Sequence, residues 1–198
     1  MLVSRLVVSP LLALLLLVPA LGQDEPPPKQ EPAAAAVALA ERYVGLIKEK
    51  KVAQALKELW SFEKLCEGIF KGDWRRMKEP DREACARAMH DVLLPSMNDP
   101  RVAEAMARAT YEDFQAKKPS GSRLEVTFVV TLPLEGAEPT TQHMWVQKVG
   151  EEWRIVDMAN GKPEARITRS VGAQWEQVKK ENKGITPLEY VRLMAQSR

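Results

Sequence analysis

Along the chain the spacing of apolar residues changes from helical to alternating and back again. From residue 33 to about residue 60 the spacing is helical: Val37, Ala40, Val44 and Ile47 share one face, and Ala55, Leu56 and Leu59 continue it beyond the charged residues 48–51. That charged run reads as a solvated face or a helix junction. Phe62, Leu65, Cys66, Ile69 and Phe70 repeat at three- and four-residue intervals and predict a short helix that Gly72 can end. A third helix is expected from about Pro80 through Ala84, Ala88, Met89, Val92 and Leu93, stopping at Pro95. Asp99 can cap the next, whose expected buried stripe is Val102, Ala105, Met106 and Ala109.

At residues 117–122 the text becomes KKPSGS, a turn-forming cluster, and the period drops to two. Leu124, Val126, Phe128, Val130 and Leu132 alternate with Glu125, Thr127, Val129 and Thr131, which buries one face of a strand. Residues 142–148 and 153–158 read as two more strands joined through Gly150, so the three form an antiparallel meander. Helical spacing returns with Ile167, Val171, Trp175 and Val178, closed by Gly184, and Thr186-Pro187-Leu188-Glu189 is a capping box opening a last helix with Leu188, Val191 and Met194. This order predicts an α+β fold, with helices packed on one side of a curved antiparallel sheet.

The N-terminus stands apart. One positive charge in residues 1–5, an almost wholly apolar run over 6–20, and Ala20 and Gly22 just before Gln23 read as a secretory signal peptide of residues 1–22. The run spans about 15 residues and contains Pro10, short of the roughly 20 that cross a bilayer. No cysteine follows it, which argues against a lipoprotein. Residues 23–32, QDEPPPKQEP, read as a flexible proline-rich linker, and residues 33–198 as one domain working outside the cytoplasm.

Charge and chemistry then narrow the function. With 29 basic against 27 acidic residues the net charge is +2, and no basic run lies beside aromatics, so nucleic acid is not an expected partner. Cys66 and Cys85 either form one disulfide or lie as buried thiols on neighbouring helices. The two histidines, His90 and His143, lack metal-ligand spacing, no serine has a nucleophile context, and no glycine-rich loop precedes a lysine, so no metal, cofactor or catalytic residue is expected. What remains is apolar surface between helices and sheet, including several of the eight methionines. It either fills a core or lines a lipid cavity, and Phe70, Leu93, Val126, Phe128, Val130, Met144 and Met158 are the candidate lining residues.

Three stretches carry a family resemblance. Trp60-Ser61-Phe62-Glu63-Lys64-Leu65 leads through Gly72 to Trp74-Arg75; Pro80-Asp81-Arg82-Glu83 opens a helix that ends Val92-Leu93-Leu94; and Gly150-Glu151-Glu152-Trp153-Arg154-Ile155-Val156-Asp157 forms a final strand, with Thr168-Arg169-Ser170 beyond. In these the chain, from about Val37 to its end, resembles the periplasmic phospholipid-transport proteins typified by MlaC, the toluene-tolerance or ABC-transporter auxiliary family. It departs at Pro95-Ser96-Met97, at Gly161-Lys162-Pro163, and between Tyr111 and Gly150, which reads as short by about one strand.

The resemblance implies a periplasmic carrier of phospholipid that shuttles between an inner-membrane ABC transporter complex and an outer-membrane complex, without covalent chemistry. The alternative is an exported cystatin-like or nuclear-transport-factor-two-like interaction module with a filled core. An isomerase or hydrolase on the same fold would need His143 or Asp157 to face a pocket. Trp153 and Asp157 are expected to serve packing and strand-end hydrogen bonding instead.

Overall fold

The computed structural model describes residues 31–117 and 121–196, so the expected signal peptide and residues 23–30 of the linker lie outside the described residues. Five helices come first: α1 (Pro32–Lys48), α2 (Val52–Leu59), α3 (Phe62–Phe70), the short α4 (Gly72–Arg76) and α5 (Glu79–Met97). Helix α6 (Pro100–Arg108) leads into strands β1 (Thr110–Ala116), β2 (Arg123–Thr131), β3 (Thr140–Val149) and β4 (Glu152–Asn160). After a 3-10 turn at Pro163–Ala165, α7 (Ile167–Glu181) and α8 (Pro187–Gln196) complete an α+β fold with helices packed on a curved antiparallel sheet of order β1-β2-β3-β4.

Strand β2 shows why the sheet has one core face. Leu124, Val126, Phe128 and Val130 are buried while their alternate neighbours are half-exposed. Val126 pairs with Met144, and Met144 with Met158, so the inward row continues across three strands. Onto this row pack the buried faces of α1, α2, α3 and α5 in one apolar cluster that also takes in Trp175, Tyr190 and Val191. The capping box forms as expected: the Glu189 carboxylate accepts from the Thr186 N–H at 2.8 Å, and Thr186 Oγ1 accepts from the Glu189 N–H at 3.3 Å.

Four expectations are corrected. The sheet has a fourth strand, β1, whose alternation is broken by a bulge between Glu112 and Gln115 where Asp113 adopts φ +56°. Helix α5 runs through Pro95 to Met97 because the single ladder bond the proline removes would end on the carbonyl of exposed Asp91, which water can satisfy. Lys71, at φ +49°, ends α3, and Gly72 instead starts α4. In α6 the buried side chain is Ala103, while Val102 is 45% exposed.

Both edges of the sheet are interrupted. Along β4, Trp60 makes a parallel bridge to Ile155, whose carbonyl accepts from the Ser61 N–H at 2.9 Å. Along β1, the bulge at Asp113 breaks the ladder.

Helices α3 and α7 cross closely because glycines face the contact. A Cβ at Gly68 would stand 2.8 Å from Thr168 Cγ2, and one at Gly172 would stand 3.4 Å from the Ile69 carbonyl. Beyond this crossing Trp175 is fully buried, with its ring edge-on to Phe70 at 5.4 Å and its Nε1 donating to Asp73 Oδ2 at 3.1 Å. Thr168 is buried and hydrogen-bonded, so it cannot swing aside for a new methyl group. Gly68→Ala is therefore expected to cost about 1–3 kcal/mol. Urea unfolding measures it, and an unchanged midpoint would refute the close crossing.

Candidate functional site

The seven candidate lining residues converge on the interior between helices and sheet. Phe70, Val126, Phe128, Val130 and Met144 are buried, and Leu93 and Met158 are half-buried against the same cluster. Their neighbours fill the space between them. Phe128 stacks on Phe114 at 5.0 Å, while Phe70 meets Trp175 and, at 6.3 Å, Tyr190. Four surface cavities of about 320, 500, 420 and 490 Å³ are lined by none of the seven. The seven are buried or half-buried against close-packed neighbours in this conformation, and among the described residues two buried donors, Trp60 Nε1 and Arg82 Nε, have no acceptor.

Cys66 on α3 and Cys85 on α5 are buried free thiols on neighbouring helices, and their side chains hydrogen-bond to each other. That bond and burial push the Cys66 thiol well above its ordinary value, which leaves it little thiolate for reaction.

The two groups an enzyme on this fold would need lie away from the interior. Register places Glu125, Trp145 and Asp157 in one row, and Thr127, His143 and Ala159 in the next, both on the face opposite Val126 and Met144. His143 Nδ1 stands 2.7 Å from Glu125 Oε1, and its Nε2 stands 3.3 Å from the Gly161 carbonyl. Burial opposes ionisation of Glu125, but hydrogen bonds and charge from Lys117 and His143 overcome it and hold the carboxyl below its ordinary value. His90 on α5 pairs with Asp91 at 3.0 Å and sets its ring against Phe62. Among the described residues no three His, Cys, Asp or Glu side chains group closely enough to hold a metal ion.

Asp157 ties β4 to the start of α7. Its Oδ1 accepts from the Met158 N–H at 3.0 Å and the Thr168 N–H at 3.2 Å, and its Oδ2 accepts from the Thr168 hydroxyl. Burial raises its pKa, against the opposing pull of those bonds and of Arg166.

Beside this tie lies the feature that sequence reading missed. A cavity of about 320 Å³ is lined by Gly68 and Lys71 from the end of α3, Arg123 from the start of β2, and Arg166, Thr168 and Arg169 from the start of α7. Four of these six residues are cationic, and none is acidic. Arg123 Nε donates to Gln147 Oε1 at 3.4 Å, and the Arg166 guanidinium lies over the Trp145 ring at 5.6 Å while its charge also acts on the Asp157 carboxyl. No carboxylate among the described residues forms a salt bridge with any of the four cations. The sequence signal was faint, because three elements far apart in the chain each supply one or two ordinary-looking basic residues.

The fold is similar to that of a phospholipid-binding protein from Ralstonia solanacearum, solved in complex with a phospholipid: TM-score 0.61, with 14% sequence identity, over 83% of this chain and 97% of that one. No protein-family model matches the chain, and no curated protein matches it. The similarity is thus one of fold.

Two outcomes follow from the buried groups. In protein purified under reducing conditions, Ellman's reagent is expected to label neither cysteine in the native state and both in denaturant; rapid native labelling would contradict the buried pair. For Asp157, the native state holds more protons than the unfolded chain from the ordinary value of 3.8 upward to its raised folded value, so its contribution to stability falls as pH rises through that window. Urea titrations should therefore show the wild type gaining stability relative to Asp157→Asn as pH is lowered from about 7 to about 4, and the opposite trend would refute the raised value.

Proposed function

We propose that this protein is an exported phospholipid-binding carrier, without catalytic activity, that takes up acyl chains between its helices and its sheet. The observation that carries the reading is the likeness of fold across 97% of a protein whose structure holds a phospholipid. The seven inward residues, Phe70, Leu93, Val126, Phe128, Val130, Met144 and Met158, are the surface the chains would meet. By resemblance, its route runs through the periplasm from an inner-membrane ABC transporter complex to an outer-membrane complex.

Because the interior is packed, loading requires helices to lift from the sheet. Burial of one methylene contributes about 0.8 kcal/mol, so a dozen would supply about 10 kcal/mol, comparable to the roughly 5–15 kcal/mol that holds a whole domain together. That sum counts from water; tails drawn from a bilayer are already buried, so loading has to be near-balanced, with the tails replacing the contacts the layers lose. An acceptor brought by the ligand would also satisfy Trp60 Nε1.

The filled interior favours a second reading, an exported module that binds a protein partner and keeps its core closed. Native mass spectrometry of gently purified protein, followed by lipid extraction and by incubation with phosphatidylglycerol and phosphatidylethanolamine vesicles, separates the two. The carrier reading expects one phospholipid per chain after either route. A lipid-free mass after both would leave the interaction module.

A further inference from the structure

The cavity bounded by Lys71, Arg123, Arg166 and Arg169 has no use in a reading that concerns acyl chains alone. Its chemistry points one way. Arginine keeps its charge at any physiological pH and presents several N–H donors in a plane, matching the oxygens of a phosphate. Three arginines and a lysine around one cavity of about 320 Å³ repel one another; Asp157 acts on Arg166 from beyond salt-bridge distance, and no salt bridge among the described residues engages any of the four. In a chain with a net charge of only +2, that concentration is local.

Two details of the backbone serve the same cavity. Gly68 forms part of its wall, where a Cβ would stand 3.9 Å from Arg123 Nη2 as well as against Thr168, so the glycine keeps this space open. Lys71 adopts φ +49° and ψ −111°, a conformation that costs a side-chain-bearing residue energy and that glycine would take freely. That conformation brings the Lys71 charge to the rim of the cationic cavity.

We propose that this cavity is an anion site that binds the phosphate group of its ligand, with Lys71 and Arg169 at the exposed rim and Arg123 and Arg166 as the anchored inner pair. The phosphate belongs either to a phospholipid headgroup or to a small soluble phosphate. The site goes beyond the carrier reading, because it can bind phosphate with the interior closed.

The test is isothermal titration calorimetry of the full mature chain at low ionic strength, where surface charge is least screened. The probes are inorganic phosphate, sn-glycerol 3-phosphate, monomeric dihexanoyl phosphatidylglycerol, and dihexanoylglycerol as the control without phosphate. Lys71 and Arg169 are exposed, so the double variant Lys71→Gln/Arg169→Gln keeps its fold, checked by circular dichroism. Saturable binding of the phosphate-bearing probes, weakened about tenfold or more in the double variant, is the expected result. Phosphatidylglycerol binding much more tightly than glycerol phosphate assigns the site to a headgroup, and equal affinities assign it to a soluble phosphate.

Lys71→Gly separates ligand binding from structure, since it relieves the backbone strain: it should melt higher than wild type yet bind phosphate more weakly. Non-saturable titrations, or equal affinities in wild type and the double variant, would overturn the site. Lipid-free protein that still binds phosphate at these residues would keep the site while the carrier reading fails. Lipid-loaded protein indifferent to Lys71 and Arg169 would do the reverse.

Discussion

A carboxylate buried against a sheet is tolerated only when its oxygens are occupied, and Asp157 meets that requirement by seizing the first turn of α7. The Thr168 N–H and hydroxyl both go to it, so the helix can begin in one place only. From that point α7 is aimed across α3, where Gly68 and Gly172 allow contact, and Trp175 reaches the core beside Phe70. The same tie sets Arg166 and Arg169 on either side of Thr168 and brings them to Lys71 and Arg123. One polar contact thus positions both the apolar anchor of the C-terminal helices and the cationic cavity.

The two regions differ in readiness. The cavity is open and its charges are in place, while the interior is closed by the stacked pair Phe114 and Phe128 and the edge-to-face pair Phe70 and Tyr190. The open cavity can take an anion without rearrangement, whereas the closed interior must deform before it can take anything apolar. The energetic demands are correspondingly different: charge complementarity in one, displacement of packed layers in the other.

Much of the frame was legible because period and burial coincide. Strand β2 alternates without interruption, the face of α1 recurs as Val37, Ala40, Val44 and Ile47, and Trp175 sits where helical spacing puts it. The losses have local causes. Strand β1 is short and polar, and its bulge at Asp113 erases the alternation that identifies a strand. Pro95 halts a helix only where the lost bond matters, and at an exposed final turn it does not. The left-handed residue at the end of α3 was sought at a glycine and lies one residue earlier, on Lys71. The interior residues could be named from their spacing, but whether they line space or fill it depends on volumes that spacing does not encode. The cationic cavity was illegible for a different reason: the three segments that line it are separated by tens of residues, and each basic residue alone resembles a solvated surface charge.

The interrupted edges of the sheet bear on how this molecule can meet others. With Trp60 and Ser61 occupying the margin of β4 and the bulge at Asp113 twisting that of β1, neither margin offers an unbroken row of backbone donors and acceptors. Strand addition, the commonest way for sheet proteins to polymerise or to recruit extended peptides, is thereby disfavoured. Side chains on helix faces and loops are left as the more accessible means of contact, and the fold carries its own obstacle to margin-to-margin pairing between copies.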